Sequence, residues 1–254
     1  MKSDKRKTGS RSAIPTNLAA HRLASQPHAL KGLDALAMLT SYYRGQEICA
    51  EGHPAELWFC VMSGGARQCA SRADGRRQIL GLLLPGDFFG FTLAYEFSFT
   101  VEAVAEGTVV AAYPRRRAEA LANSNPEIAR ELREVAIEGM GRLQSQILTL
   151  GRITAIEKVG SFLLELARRS SHGAADDLAL PISRYDIADY LAVSVETVSR
   201  AFTDLKHRGV ISFSGPRTLK ILDPDALDEG GPGEPRQHPS STDYLSAARG
   251  GADP

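Results

Sequence analysis

The hydrophobic period of this chain switches from strand-like to helical near Pro126, and that switch limits what the two sides can become. From Tyr42 to about Pro114 the apolar residues come in short runs such as LWFCVM, QILGLLL and VVAAY. Turn signals cut these runs at Arg44-Gly45, Glu51-Gly52, Ser63-Gly64-Gly65, Ala73-Asp74-Gly75 and Pro85-Gly86-Asp87. Runs this short suit strands better than helices. Asp74-Gly75, between Gly65–Arg72 and Arg77–Leu84, is a hairpin signal because glycine takes positive φ at no steric cost. Many short strands with frequent turns predict an antiparallel barrel or sandwich. Ahead of it, Leu33, Leu36, Ala37 and Leu39 predict a lead-in helix.

Between Pro126 and Leu150 the spacing is helical. Ser124 and Asn125 are candidate caps, and Pro126 suits a first helical turn. Ile128, Leu132 and Val135 make one apolar stripe. Met140, Leu143, Ile147 and Leu150 make a second, with the 3-4-3 spacing of a coiled-coil seam. The step from Val135 to Met140 breaks the register beside Gly139 and Gly141, where a bend or a close helix approach is expected. The plain reading is a helix packed on its own domain. For the second stripe we expect pairing with another copy, because a long helix leaving a barrel must cover its far half.

The most informative stretch is ISRYDIADYLAVSVETVSRAFTDLKHRGVISFSGPRTLKIL. A helix rich in apolar spacing, Ile156 to Ala167, precedes it, followed by a loop over His172–Asp177. Ser183 and Asp186 form a capping-box pattern that opens one helix. Ser194 is placed to cap a second, which stops at Gly209. Two short helices joined by Ala192-Val193-Ser194 predict a helix-turn-helix. Val198, Ala201, Phe202 and Leu205 would bury one side of the second helix and expose Glu196, Ser199, Arg200, Thr203 and His207. Val210–Phe213 and Thr218–Ile221, flanking Ser214-Gly215-Pro216-Arg217, predict a two-stranded wing. Arginine can donate twice to guanine and glutamate can accept from cytosine, so the exposed set suits base edges in the major groove. The bland alternative is a solvated amphipathic helix with an i,i+4 pair between Glu196 and Arg200.

The chain of 254 residues has 30 basic and 30 acidic side chains, a balance that argues against a nucleic-acid partner only if charge is evenly spread. It is not. Residues 1–30 hold six bases against Asp4, residues 195–220 hold five bases against Glu196 and Asp204, and residues 223–254 hold seven acids against two bases. The first stretch reads as a polar tail and the last, dense in Gly and Pro, as a mostly disordered one. The N-terminus lacks the apolar core of a secretory signal, and no run approaches the roughly 20 apolar residues that span a bilayer. Three scattered cysteines, Cys49, Cys60 and Cys69, fit a reducing cytoplasm and suggest neither a disulfide framework nor a zinc site. Scattered histidines, no GxSxG and no phosphate-binding glycine loop leave little for an enzyme.

VETVSR preceded by DIADYL resembles the recognition segment of the Crp–Fnr family of bacterial transcription regulators, in particular its Fnr-like and FixK-like branch. The resemblance covers about residues 30–222 and includes RGQEICAEG, VMSGGARQ, DGRRQILGLLLPGDFFG and TAIEKVGSFLLELARR. It implies an α+β fold with a cyclic-nucleotide-binding-like β-barrel over 30–122 and a dimerisation helix over 123–152. A winged helix-turn-helix over 153–222 follows, with tails at 1–29 and 223–254. It also implies a homodimer that contacts RNA polymerase and double-stranded DNA at a TTGAT-N4-ATCAA-type palindrome. In that branch the residues matching Glu196, Ser199 and Arg200 read the half-site. Val195 stands where the Crp branch carries arginine, which favours the Fnr-type site. Thr197, Thr203 and Lys206 are further candidates on the same helix, and Ser183, Arg184 and Arg217 are candidates around it.

Family members differ in what the barrel senses. Cyclic-nucleotide binders carry a Gly-Glu pair and an arginine for the phosphate, but GDFFGFTLAYEFSFTVEA offers Phe97-Ser98 or Phe99-Thr100 there. An iron–sulfur cluster needs about four thiolates, and residues 1–48 contain none, so inert buried thiols are expected. His28 and His53 are conceivable haem ligands but read as solvated. The expectation is an effector-independent cytoplasmic activator of low-oxygen, respiratory or nitrogen-fixation-related genes that needs no cofactor. A regulator gated by a small ligand or haem is the alternative.

Overall fold

The computed structural model describes residues 12–13, 31–71, 77–170 and 177–228. Among the described residues, nine strands build the first domain: β1 (Ser12–Ala13), β2 (Met38–Tyr42), β3 (Glu47–Cys49), β4 (Leu57–Ser63), β5 (Ala66–Ser71), β6 (Arg77–Leu83), β7 (Phe88–Phe89), β8 (Thr100–Ala103) and β9 (Thr108–Pro114). They form two antiparallel sheets, ordered β1-β2-β9-β4-β7 and β3-β8-β5-β6. The expected hairpin is present, with Ser71 opposite Arg77, while the Asp74-Gly75 tip lies outside the described residues.

LWFCVM and VVAAY do not alternate with polar residues because both faces of β4 and β9 are covered. Phe59 and Val61 of β4, with Val110 and Ala112 of β9, join Tyr42, Ile48, Phe97 and Val101 between the sheets. Their neighbours Trp58, Cys60, Met62, Val109, Ala111 and Tyr113 point the other way, under a layer of helix. A strand buried on both faces reads as a continuous apolar run.

The expected lead-in helix is a 3-10 segment, Lys31–Leu36, and Leu39 belongs to β2. Leu33 and Leu36 stand three apart, so on a 3-10 segment both fall on one side, and both are buried. From Met38 the chain is held by pairing with β9, Met38 to Ala112 through Tyr42 to Thr108.

Three helices follow: α1 (Arg115–Ser124), α2 (Pro126–Leu150) and α3 (Ala155–Ser170). Asn125 separates the first two and caps α2, its side-chain oxygen accepting from the Glu127 and Ile128 amides at 2.9 and 3.5 Å. Ile128 seats on the 3-10 segment at Gly32, where a Cβ would come within 2.4 Å of the isoleucine side chain. The α2 helix runs unbroken through Gly139 and Gly141. The register break is thus a change of face: Ile128, Leu132 and Val135 pack on the barrel, whereas Ile137, Met140, Leu143 and Ile147 are exposed. Ile137 belongs to the second stripe, three residues before Met140, and Leu150 at its other end is half-buried.

The second domain contains β10 (Leu178–Ala179), α4 (Arg184–Leu191), α5 (Val195–His207), β11 (Ile211–Gly215), β12 (Thr218–Ile221) and α6 (Pro224–Asp228). The wing has three strands, ordered β10-β12-β11; the expected two were short by β10. The expected tail from 223 begins with structure as well. Leu227 of α6 is 1% exposed, and its carbonyl lies so near Gly160 of α3 that a Cβ there would approach it to 2.5 Å. The loop interior at 171–176 and the tails at 1–11, 14–30 and 229–254 lie outside the described residues.

Candidate nucleic-acid interface

Side-chain caps set the geometry of α4 and α5. The Ser183 hydroxyl accepts from the Asp186 amide at 3.2 Å and donates to Asp186 Oδ2 at 2.7 Å, and that oxygen also accepts from the Ser183 amide at 3.1 Å. The α4 helix ends at Ala192, in the left-handed region with φ 53, an uncommon conformation for a residue with a Cβ. This residue turns the chain, and Ser194 opens α5 by accepting from the Thr197 amide at 3.1 Å. Beyond His207, Gly209 takes φ 70, and the chain turns into the wing.

Burial then decides which side of α5 faces outward. Val198, Ala201, Phe202 and Leu205 are 3% exposed or less and join Val159, Leu163, Ile187, Leu191 and Leu219 in the core. Glu196, Ser199, Arg200, Thr203 and His207 share one open face with Asp204. Along it, Ser199 and Thr203 donate their hydroxyls to the carbonyls of Val195 and Ser199, each at 2.9 Å. Arg200 and Glu196 pair at 2.6 Å with side chains 80% and 70% exposed, so the i,i+4 pair of the bland alternative exists. A pair so exposed is worth at most about 1 kcal/mol, too little to tie either side chain down.

The other candidates divide by position. Lys206 is exposed on α5, and Arg217 is exposed at the turn of the wing, with its carbonyl accepting from the Leu180 amide at 2.8 Å. Val195 is half-buried against the core, and the Thr197 and Ser183 hydroxyls are engaged in the two caps. Arg184 turns inward. Its guanidinium lies 3.3 Å from the Phe202 ring centroid and 5.3 Å from that of Phe213. Burial brings its pKa down to about 10, which leaves it charged at neutral pH and stacked on the aromatic faces. The structure therefore brings Glu196, Ser199, Arg200, Thr203 and Lys206 onto one helix surface with Arg217 on the wing. It places Ser183, Arg184, Val195 and Thr197 in supporting positions.

Residues 157–229 match the Crp-like helix-turn-helix domain, and residues 39–125 match the cyclic nucleotide-binding domain. The nitrogen fixation regulation protein FixK of Rhizobium meliloti is 40% identical over 215 residues, covering 85% of this chain and 95% of the relative. FixK of Azorhizobium caulinodans is 41% identical over 196 residues, 76% of this chain and 79% of that one. The solved structure of FixK2 from Bradyrhizobium japonicum superposes with a TM-score of 0.71 at 36% identity, covering 78% of this chain and 99% of that one. The chain belongs to the Crp–Fnr family of transcription regulators. Within it, the chain falls in the FixK-like branch, and α5 is the second helix of its helix-turn-helix domain.

Membership raises the question of a cyclic nucleotide, and Phe97, at one of the two places where a phosphate-binding arginine is expected, does not suit one. Phe97 is 4% exposed and lies among other rings, with centroids 6.2 Å from Phe59 and 6.0 Å from Phe99. An uncompensated phosphate against phenylalanine is strongly disfavoured. A cavity of about 390 Å³ does lie between β6, α2 and α3, but the two arginines lining it, Arg142 and Arg169, both pair with Asp87. The cysteines occupy three separate apolar clusters. Burial raises all three thiols, Cys49 to about 12 and Cys69 to about 11, so they stay protonated at neutral pH. His53 is exposed, and His28 lies outside the described residues. Among the described residues, no helix is long and apolar enough to cross a membrane.

Proposed function

We propose that this regulator acts in the cytoplasm as a homodimeric activator that binds a TTGAT-N4-ATCAA-type palindrome and engages RNA polymerase, without catalytic chemistry or a bound effector. The observation that carries this reading is the open polar face of α5, with Arg217 beside it on the wing. Arg200 suits the guanine of the half-site, Glu196 the opposing cytosine, and Ser199 either edge. Lys206 and Arg217 supply phosphate contacts. Pairing through Met140, Leu143 and Ile147, with Ile137 before them and Leu150 after, presents two such faces to the two half-sites. Because the matched relatives are named nitrogen fixation regulation proteins and an FnrL activator, the target genes we assign are those of low-oxygen respiration and nitrogen fixation. A gel-shift titration of ligand-free protein tests this, with the palindrome expected to bind far more tightly than a scrambled duplex at the same salt. Equal affinity for both would reject it. The cavity favours one second reading, a ligand-gated regulator. Tight binding only after a small molecule is added would select that reading instead.

A further inference from the structure

The first helix of the DNA-reading motif is tied to the barrel by charged side chains that the DNA contacts do not use. Asp186 divides its carboxylate between two tasks: Oδ2 closes the capping box with Ser183, while Oδ1 faces Arg67 of β5 and Arg77 of β6, the latter at 3.2 Å. Arg67 also pairs with Glu102 of β8 at 2.6 Å, and Arg77 reaches Asp189 of α4 at 3.3 Å. Gln78 of β6 donates to the Asp189 carbonyl, and Gln146 of α2 donates to the Tyr190 carbonyl at 2.8 Å. The α4 helix is thus held both to the sheet and to the long helix. By contrast, residues 151–154, which join α2 to α3, are exposed, and their backbone amides bond to Ile147, Thr149 and Glu157 on the helices they connect.

We infer that Arg67 and Arg77 are positioning residues that set the angle of the reading domain on the α2 helix and thereby determine which half-site spacing the dimer accepts. This inference rests on the homodimer and palindrome of the preceding section. Half-site spacing is a geometric consequence of how two reading helices are held apart, and the connection at 151–154 is too local to fix that distance. The latch leaves the reading face open, since Glu196 and Arg200 remain exposed while it is closed. It therefore holds a DNA-competent orientation with no ligand, rather than masking the helix.

The test compares wild type with Arg67→Ala/Arg77→Ala, the conservative Arg67→Lys/Arg77→Lys and the milder Asp189→Asn, all as full-length chains. Each is titrated against palindromes with four-, five- and six-base spacers and against a single half-site. Wild type is expected to prefer the four-base spacer by about tenfold, and the double alanine variant to keep less than about threefold of that preference, with half-site affinity nearly unchanged. The lysine pair restores part of the preference, and Asp189→Asn falls between. Trypsin cleavage after Arg152, followed by mass spectrometry without DNA, should quicken about fivefold in the alanine variant as α4 loosens from the sheet, the Arg169–Asp87 pair of α3 remaining in place. Unchanged spacer preference or unchanged cleavage in the alanine and asparagine variants overturns the inference. If wild type binds no duplex selectively, the reading of the DNA site has failed, and the cleavage ratio alone decides the latch.

Discussion

Two helices of this molecule each leave one side to solvent, and the two sides differ in chemistry. The second half of α2 presents Ile137, Met140, Leu143 and Ile147, between 53% and 68% exposed. The α5 helix presents Glu196, Ser199, Arg200 and Thr203, with its apolar residues turned into a core. Aliphatic side chains in water lose roughly 1.5–3 kcal/mol apiece relative to burial, so the α2 face gains by being covered, as the proposed dimer would cover it. Polar side chains already satisfied by water and by each other lose little while waiting, so the α5 face can bind and release a polar ligand. On the proposed function, one helix serves assembly and the other reversible reading.

The widest break in this contrast comes from giving α2 the chemistry of α5. Met140→Glu/Ile147→Glu should remove roughly 6 kcal/mol or more of association, counted over both copies, leaving monomer in sedimentation velocity and abolishing palindrome binding. A variant that remained dimeric would show that another surface joins the copies. On the inner side of α5, Phe202→Ala should lower unfolding free energy by about 3–5 kcal/mol, measured by urea denaturation. It also removes the ring under Arg184. Arg200→Ala, on the outer side, should leave stability alone, weaken DNA binding by about 1–3 kcal/mol and relax selection at the guanine. Arg217→Ala should weaken palindrome and scrambled duplex alike and lower the salt slope of binding by about 1. A loss confined to the palindrome would place Arg217 on a base.

Acid sharpens the picture at Asp186. Burial raises its carboxyl, but the Ser183 hydrogen bonds and the Arg67 and Arg77 charges outweigh burial and hold the pKa below the ordinary value. A carboxyl depressed in the folded state stabilises fully above its unfolded pKa of about 3.9, and the contribution is lost as pH falls through the folded value. Wild type should therefore lose stability relative to Asp186→Asn as pH drops below about 4. A constant gap in melting temperature from pH 6 to pH 3 would contradict this.

Much of this was legible because it is local. Ser183, Ser194 and Asn125 announced their helices, as a cap bonds only to the next turn, and the outward set on α5 followed from helical spacing within 13 residues. The exposed apolar stripe on α2 was only partly legible. Ile137 continues the stripe, but counting forward from Met140 hid it, and nothing local says that Leu150 would be half covered. Leu39 illustrates the opposite limit. Its spacing from Leu33 and Leu36 suits a helix, yet pairing with a strand some 70 residues later decides its conformation. Arg184 carries the charge of a phosphate ligand, and only the packing of Phe202 and Phe213 turned it inward.

The sequence by itself determined the strand-rich first domain, the long helix, the capped pair of short helices and the residues facing out from the second of them. All depend on periodicity and neighbours within a few positions. Tertiary structure alone decided that β4 and β9 are buried on both faces, that α6 completes the second domain, and that Asp186 is shared between a helix cap and two arginines more than a hundred residues away. Such pairings depend on where sheets and helices come to rest. A charge at position 67 or 77 has no local signal of the partner that folding will bring to it.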